Sequence, residues 1–482
     1  MSAPRAERMS RVDYAWLRMD NEANLMMIVG VWLLEPALPL AELKARVGDA
    51  LLKYDRFRQR VVHDALGAQW VEDSAFDLDR HVVAETLPVA PGQPPIEALK
   101  GRVAELTGVA LDPAHPLWQL HLVEWLDEGS GEGRSALIAR IHHCVGDGIA
   151  LISVLLSITD GGKPPPERPH DAAEPDPGEW LADVLIKPVA DATIKAIGLT
   201  GDGMARSIDL MAHPTQPISG GLELARVGAQ AVSDLASLAL MPDDSPTLLK
   251  GQATPGKRVA WGEPLPLDEV KAVGQALGAS INDVLLSCVA GAIGAYLRDR
   301  GEDPSGKEIR SMVPFNLRPL EDAWKLGNRF GLVPLVLPIG IDHPIERLGA
   351  VRARMDALKG GYTPVLVFGL LAVAGLLVKP AQDALLNLFA KKTTAVMTNV
   401  PGPRQALQMC GRTIRQVMFW VPQSGDIGVG VSILSYAGGV QFGLITDDAM
   451  CPDPEAIIER FQPEFERLLY LSLMLPWGDD PA

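Results

Sequence analysis

The chain has 482 residues, 47 % of them hydrophobic, and a formal net charge of −16. That length suggests two domains or more with ample apolar surface for a core, and the acidic balance argues against nonspecific nucleic-acid binding. Cys144, Cys288, Cys410 and Cys451 are scattered without metal-ligand or disulfide spacing, which fits a reducing compartment.

Residues 1–10 are polar and charged and lack the apolar core of a signal peptide. A strand is expected at 26–35. Leu40, Leu43, Val47 and Leu51 form a helical stripe over 40–54. Short β runs follow at 57–62 and 68–71, then a helix at 96–106. Residues 118–125 and 135–142 read as the two arms of a hairpin, joined by a Gly- and Glu-rich loop. A Pro- and charge-rich stretch at 161–178 leaves the first domain, and amphipathic helices over 180–240 form a bridge. This gives units at 1–165, 166–255 and 256–482.

The second half opens on a strand at 257–261 and a helix at 267–277. Ser280 reads as an N-cap with Asp283 three residues on, starting a helix that runs to about residue 298. Strands are expected at 308–315, 329–337, 393–399 and 413–421, a helix at 344–359, a hairpin at 427–436 and 440–446, and a closing helix at 454–474. Strands and helices mix in both halves without regular βαβ alternation, so the fold class is α+β. The longest uncharged apolar run, 364–378, is too short for an ordinary spanning helix of about 20 residues. It reads as a core helix, a wall of an apolar tunnel, or a segment lying on a membrane beside Lys379, Lys391 and Lys392.

One stretch carries chemistry: Ile141-His142-His143-Cys144-Val145-Gly146-Asp147-Gly148. A strand ends in two histidines and an apolar helix follows, a junction suited to presenting side chains. Imidazole can take a proton near neutral pH. Gly146 and Gly148 permit tight turning, and Asp147 can fix the junction. Two histidines at a strand end could also be plain surface polarity. A metal site fits less well: His143 and Asp147 would need a helix to meet at i,i+4, and Gly146 argues against one.

The spacing H-H-x-x-x-D-G resembles the signature of the chloramphenicol acetyltransferase-like acyltransferases. Within that superfamily the chain resembles the bacterial wax ester synthase/diacylglycerol acyltransferase family over most of its length. The similar stretches are Met9-Ser10-Arg11-Val12-Asp13-Tyr14-Ala15-Trp16-Leu17, Pro116-Leu117-Trp118, the central histidines, Lys257-Arg258-Val259-Ala260, and Asn282-Asp283 within 280–286. Val313-Pro314-Phe315-Asn316-Leu317-Arg318, Gly327-Asn328 and Thr398-Asn399-Val400-Pro401-Gly402-Pro403 complete the set. Phe315-Asn316 departs from the pattern, standing where a small residue is expected.

The resemblance implies two chloramphenicol acetyltransferase-like α/β sandwich domains with an active-site tunnel between them. It implies transfer of a fatty acyl group from acyl-CoA to diacylglycerol or a long-chain alcohol. His143 would be the general base, attack would be direct, and Asp147 would turn away to pair with an arginine, for which Arg318 is the candidate. His142 would support His143 or the backbone. Asn282 could offer an amide to the oxyanion beside the free N–H groups of a helix start, although Asn282-Asp283 also reads as plain capping. Trp118 and Gly148 are candidate substrate contacts, and Pro116 and Gly146 structural supports; Pro116-Leu117-Trp118 reads more readily as a proline entering a strand with a core tryptophan. A thioester is already activated, so no metal or bound cofactor is expected. The polar start and the lack of an ordinary spanning run suggest a cytoplasmic enzyme, monomer or homodimer, and sparingly soluble substrates imply that it gathers at a membrane or lipid-droplet surface. The alternatives are a related acyltransferase for a polyketide or other hydroxyl acceptor, and a catalytically silent lipid-binding protein.

Overall fold

The computed structural model describes residues 6–64, 67–126, 131, 133–162, 241–316, 326–358, 379, 382 and 390–474. The helices expected within 180–240 and the apolar run at 364–378 lie outside the described residues, as does Arg318.

A short strand, β1 (Ala6–Arg8), leads into α1 (Arg11–Arg18), which the Ser10 hydroxyl caps by accepting the Asp13 N–H at 3.1 Å. β2 (Met27–Glu35) is buried along nearly its whole length. α2 (Leu40–Asp49) stops before the stripe does, and short 3₁₀ turns at Leu51–Lys53 and Asp55–Phe57 take over. β3 (Gln59–Asp64) and β4 (Gly67–Glu72) pair with β1 into a small sheet ordered β1-β4-β3. After α3 (Leu78–His81), β5 (Val82–Thr86) and α4 (Pro95–Thr107) comes the expected hairpin, β6 (Trp118–Leu126) against β7 (Gly133–His142), with Trp118 opposite Ile141. α5 (Gly148–Ser157) follows directly.

The second half begins with β8 (Lys257–Trp261), β9 (Leu265–Pro266) and α6 (Leu267–Ala276). α7 (Ile281–Asp299) starts on a full capping box: Asp283 N–H donates to Ser280 Oγ at 3.2 Å, and Ser280 N–H donates back to Asp283 Oδ2 at 2.9 Å. β10 (Ile309–Asn316), β11 (Phe330–Leu337) and α8 (Pro344–Leu358) precede β12 (Ala395–Pro401), β13 (Gln408–Met409) and β14 (Arg412–Trp420). β15 (Val429–Tyr436) and β16 (Gly439–Asp447) form a hairpin that turns at Ala437 and Gly438, both at positive φ; only glycine is at ease there. α9 (Glu455–Leu473) closes the described chain.

Two large sheets result. The first runs β13-β14-β2-β7-β6-β5, the second β11-β10-β12-β15-β16-β8 with β9 on β16. Helices cover the second sheet: α7 packs on α6, α8 and α9, and its Val284, Leu285, Cys288, Val289 and Ala292 join the strand core. Among the described residues α7 is the helix long and apolar enough to cross a membrane, but 78 % of its apolar window is buried inside the protein, so it is satisfied as a core helix.

The division at residue 256 follows chain order, and the sheets do not. β14 belongs by position to the second half yet pairs antiparallel with β2 in the first sheet, Trp420 opposite Val29. β2 already has β7 on one edge, and its other edge needs a partner to satisfy its buried N–H and C=O groups. Met418 and Trp420 of β14 then pack with Val29 and Val31 of β2, Leu99 and Val103 of α4, and Trp261 of β8. Each such side chain contributes about 1.5–3 kcal/mol of apolar burial, so the cluster locks the two halves together.

Candidate active site

The hairpin places the two histidines. His142, the last residue of β7, is held by its backbone N–H donating to Leu117 O at 2.9 Å, and His143 N–H donates to Met26 O at 2.7 Å. Pro116-Leu117-Trp118 therefore acts through a carbonyl. Trp118 itself is core: it is 1 % exposed, donates Nε1–H to Phe57 O at 2.9 Å, and stacks on His81 with centroids 4.5 Å apart.

His142 is tied to the scaffold through ring Nδ1, while Nε2 has no hydrogen bond of good geometry among the described residues. Nδ1 accepts the Cys144 N–H at 3.1 Å, so the ring proton sits on Nε2, which lies 3.2 Å from Asp20 Oδ1. His143 is different. Its ring is 2 % exposed and stacks on Trp16, centroids 4.1 Å apart and planes within 11°, with Phe330 tilted at 5.5 Å. Nδ1 has no hydrogen bond of good geometry among the described residues. Burial pushes the His143 pKa down to about 4, against weaker pulls upward from its own backbone carbonyl, the Asp147 charge and the Asn328 side chain. At neutral pH the ring is uncharged and has a lone pair to offer.

Asp147 is the N-cap of α5. Its Oδ1 accepts Ala150 N–H at 2.9 Å and its Oδ2 accepts Arg329 N–H at 3.0 Å. Gly146 forms a bridge to Gly327, and a Cβ on it would come within 3.2 Å of Leu326 Cδ2. A side chain there would require the Leu326 side chain to give by a few tenths of an ångström. A Cβ at Gly148 would meet Phe419 and Val421 at ordinary contact distances. Asn282 is exposed at the start of α7, and its Oδ1 accepts Asn399 Nδ2–H at 2.7 Å; Asp283 is spent in the capping box. Capping accounts for Asp283 Oδ2, while Oδ1 is buried without a hydrogen-bond partner among the described residues.

Beside α5 an apolar cavity opens between the sheets, walled by Ile152, Leu155 and Leu156 of α5, Val417 and Phe419 of β14, and Leu434 of β15. The helix that Asp147 caps is therefore one wall of a greasy space.

Residues 9–285 match the wax ester synthase/diacylglycerol acyltransferase catalytic domain, and residues 326–469 match the C-terminal domain of the same family. The chain belongs to the wax ester synthase/diacylglycerol acyltransferase family. It is an acyltransferase. A putative diacylglycerol O-acyltransferase of Mycobacterium bovis and a probable diacylglycerol O-acyltransferase of Mycobacterium tuberculosis are each 28 % identical to it over 427 residues, covering 86 % of this chain and 85 % of theirs. Among solved structures, a wax ester synthase/diacylglycerol acyltransferase from Marinobacter aquaeolei VT8 superposes with a TM-score of 0.65 at 20 % identity, covering 97 % of this chain and 100 % of that one. A trichothecene 15-O-acetyltransferase from Fusarium sporotrichioides gives 0.59 at 13 % identity, covering 96 % and 94 %. At such identities the likeness establishes the α/β sandwich fold.

Against that family background, sequence reasoning gave no role to Asp13, Trp16, Asn328 or Phe330, which the structure gathers around His143. Their signal was present: Asp13 and Trp16 stand in the opening stretch that matches the family, and Asn328 in Gly327-Asn328. What pattern alone lacked was the contact that joins those stretches to the histidine.

Proposed function

We propose that this acyltransferase moves a long-chain fatty acyl group from acyl-CoA to diacylglycerol or a long-chain fatty alcohol, with His143 as general base. The observation that carries the reading is the buried, uncharged His143 ring at the end of β7; α5, the helix that follows it, walls an apolar cavity between the sheets. A hydroxyl is a poor nucleophile until its proton leaves. The His143 lone pair takes that proton as the hydroxyl oxygen forms a bond to the thioester carbonyl carbon. The tetrahedral intermediate then collapses, the C–S bond breaks, and the coenzyme A sulfur leaves with the proton held by His143. The step as written uses no metal and no bound cofactor. The nearby Asp147 charge favours the protonated ring, which supports the imidazolium while it lasts. The family's curated relatives, named as diacylglycerol O-acyltransferases, support the acceptor class.

Both substrates are sparingly soluble, so we place the enzyme against a membrane or lipid-inclusion surface. The test is coenzyme A release from palmitoyl-CoA with dioleoylglycerol or hexadecanol as acceptor. The expected result is acceptor-dependent release that falls about 10²–10⁴-fold in His143→Ala. Lipid binding without any release would leave a catalytically silent protein, and full activity in His143→Ala would remove the base assignment.

A further inference from the structure

β2 lies between β14 and β7 in the first sheet. Ile28, Trp32 and Leu34 alternate onto one of its faces, where they join the core that also holds Leu155 of α5. Gly30 takes the remaining place on that face, between Ile28 and Trp32. A glycine inside a strand weakens it, and it marks a bulge, an unusual backbone angle or a close approach. Gly30 has no bulge and no positive φ: it pairs with Phe419 on one side and Ala139 on the other. Nor do its neighbours crowd it. A Cβ there would meet Met418 O at 3.8 Å, Ala139 Cβ at 3.9 Å and Leu155 Cδ1 at 4.0 Å, all ordinary contacts. The fold would accept a side chain at this position. What the side chain would take up is space, because Gly30 lines the apolar cavity beside α5.

That cavity measures about 40 Å³, room for roughly three waters or a few methylene groups. No charged residue lines it, and a space walled this way stays dry and takes an apolar guest. At one end Phe419 stands beside Gly30, and Phe419 Cε2 lies 3.8 Å from where a Gly148 Cβ would be. The wall therefore reaches the turn that follows His143. From there Ile152, Leu155 and Leu156 present one face of α5, and Leu156 lies about 12 Å along the helix from Gly148. At the other end stands Tyr436, 7 % exposed. Its hydroxyl donates to Ile414 O at 2.8 Å and accepts Leu407 N–H at 2.8 Å. Two hydrogen bonds to backbone pin the ring, so the end wall is rigid.

We propose that this cavity receives the far carbons of a substrate hydrocarbon chain, with Gly30 keeping it open and Tyr436 closing it, so that these two residues set the chain length the enzyme prefers. The proposal rests on the reading of the protein as a long-chain acyltransferase. The chain has two possible sources, the acyl group of the thioester and the alkyl chain of the acceptor, and the chemistry that recognises them is the same.

The test compares kcat/KM for sixteen-carbon and eight-carbon substrates in two arms. One varies the acyl-CoA against hexadecanol, and the other varies the alcohol against palmitoyl-CoA. In Gly30→Val the ratio of long to short should fall at least tenfold in the arm whose chain enters the cavity. Valine suits a strand better than glycine and fills apolar space, so the thermal midpoint should not drop. Tyr436→Leu removes the pinned ring and should move the preferred length upward in the same arm. If Gly30→Val does not fold, Leu156→Phe adds bulk from the α5 wall and carries the same expectation. A ratio unmoved in both arms overturns the proposal. Failure of the underlying reading looks different: the wild type then releases no coenzyme A in either arm. The comparison is in that case made by calorimetry on palmitoyl-CoA, octanoyl-CoA, hexadecanol and octanol, and Kd ratios unmoved by Gly30→Val overturn the proposal. Activity surviving in His143→Ala would remove the base assignment and leave this one standing.

Discussion

Acidification should weaken this fold through His143 in a measurable way. In the folded chain burial holds the ring's pKa at about 4, whereas an unfolded histidine titrates near 6.5. Between those values the unfolded chain binds a proton that the folded chain refuses, so stability falls as pH falls. The loss begins near pH 6.5 and levels off below about pH 4. Over a span of about 2.5 pH units, at roughly 1.4 kcal/mol for each, the cost is about 3–4 kcal/mol. His143→Gln removes the titrating group and should remove that cost. The assay is urea unfolding of wild type and variant at a series of pH values from about 7 to 4, comparing the two ΔG curves. The difference between the curves isolates His143: the buried His121 ring, also pushed down to about 4, and the carboxylates are common to both. Parallel curves across that interval would refute the reasoning, because the ring would then have to titrate alike folded and unfolded.

Three further outcomes are expected. Trp16→Ala should hydrate the His143 ring, return its pKa toward the ordinary value, and flatten the same stability curve, besides an unfolding cost of about 3–5 kcal/mol for the lost core ring; an unchanged pH dependence would show that stacking on Trp16 does not shield the ring. Asp147→Ala strips the acceptor from two N–H groups, Ala150 and Arg329, and should cost about 2–4 kcal/mol in chemical denaturation, the sum of a lost cap and an unsatisfied buried donor; Asp147→Asn, with one acceptor oxygen left, should cost less. Ile152→Trp fills part of the apolar cavity beside α5 and should lower turnover of palmitoyl-CoA or hexadecanol at least tenfold more than that of six-carbon substrates. Equal losses for long and short chains would mean that neither chain lies there.

Local signals carried most of the elements. Ser280 and Asp283 announced the start of α7 through a capping box that the structure forms in full, and the alternation at 118–125 with the turn residues after it marked the hairpin that positions the histidines. α1 escaped because an eight-residue helix offers little more than two turns of periodicity. β5 escaped because it pairs in parallel with β6, and a short parallel strand has no turn signal to mark it. At the site, His143 was legible as a residue because a histidine pair before a Gly-Asp-Gly turn is chemically pointed. Its burial was not, since that depends on Trp16 and Phe330 arriving from distant segments. Asn282 was weighed between capping and a site role on residue type alone, and its bond to Asn399 is a tertiary fact that no local pattern encodes.

The crossing of β14 into the first sheet has a consequence for how the protein is made. β2 leaves the ribosome early, but the strand that covers its second edge follows roughly 380 residues later. At about 5–20 residues per second that interval is about 20–80 s. Once β7 has emerged, the nascent first sheet has β7 to pair with and, until β14 arrives, a bare edge on β2, the kind of edge that recruits other chains. Synthesis of this enzyme should therefore depend on a chaperone that shields that edge, and chains that terminate before β14 should aggregate rather than persist as a folded amino-terminal half.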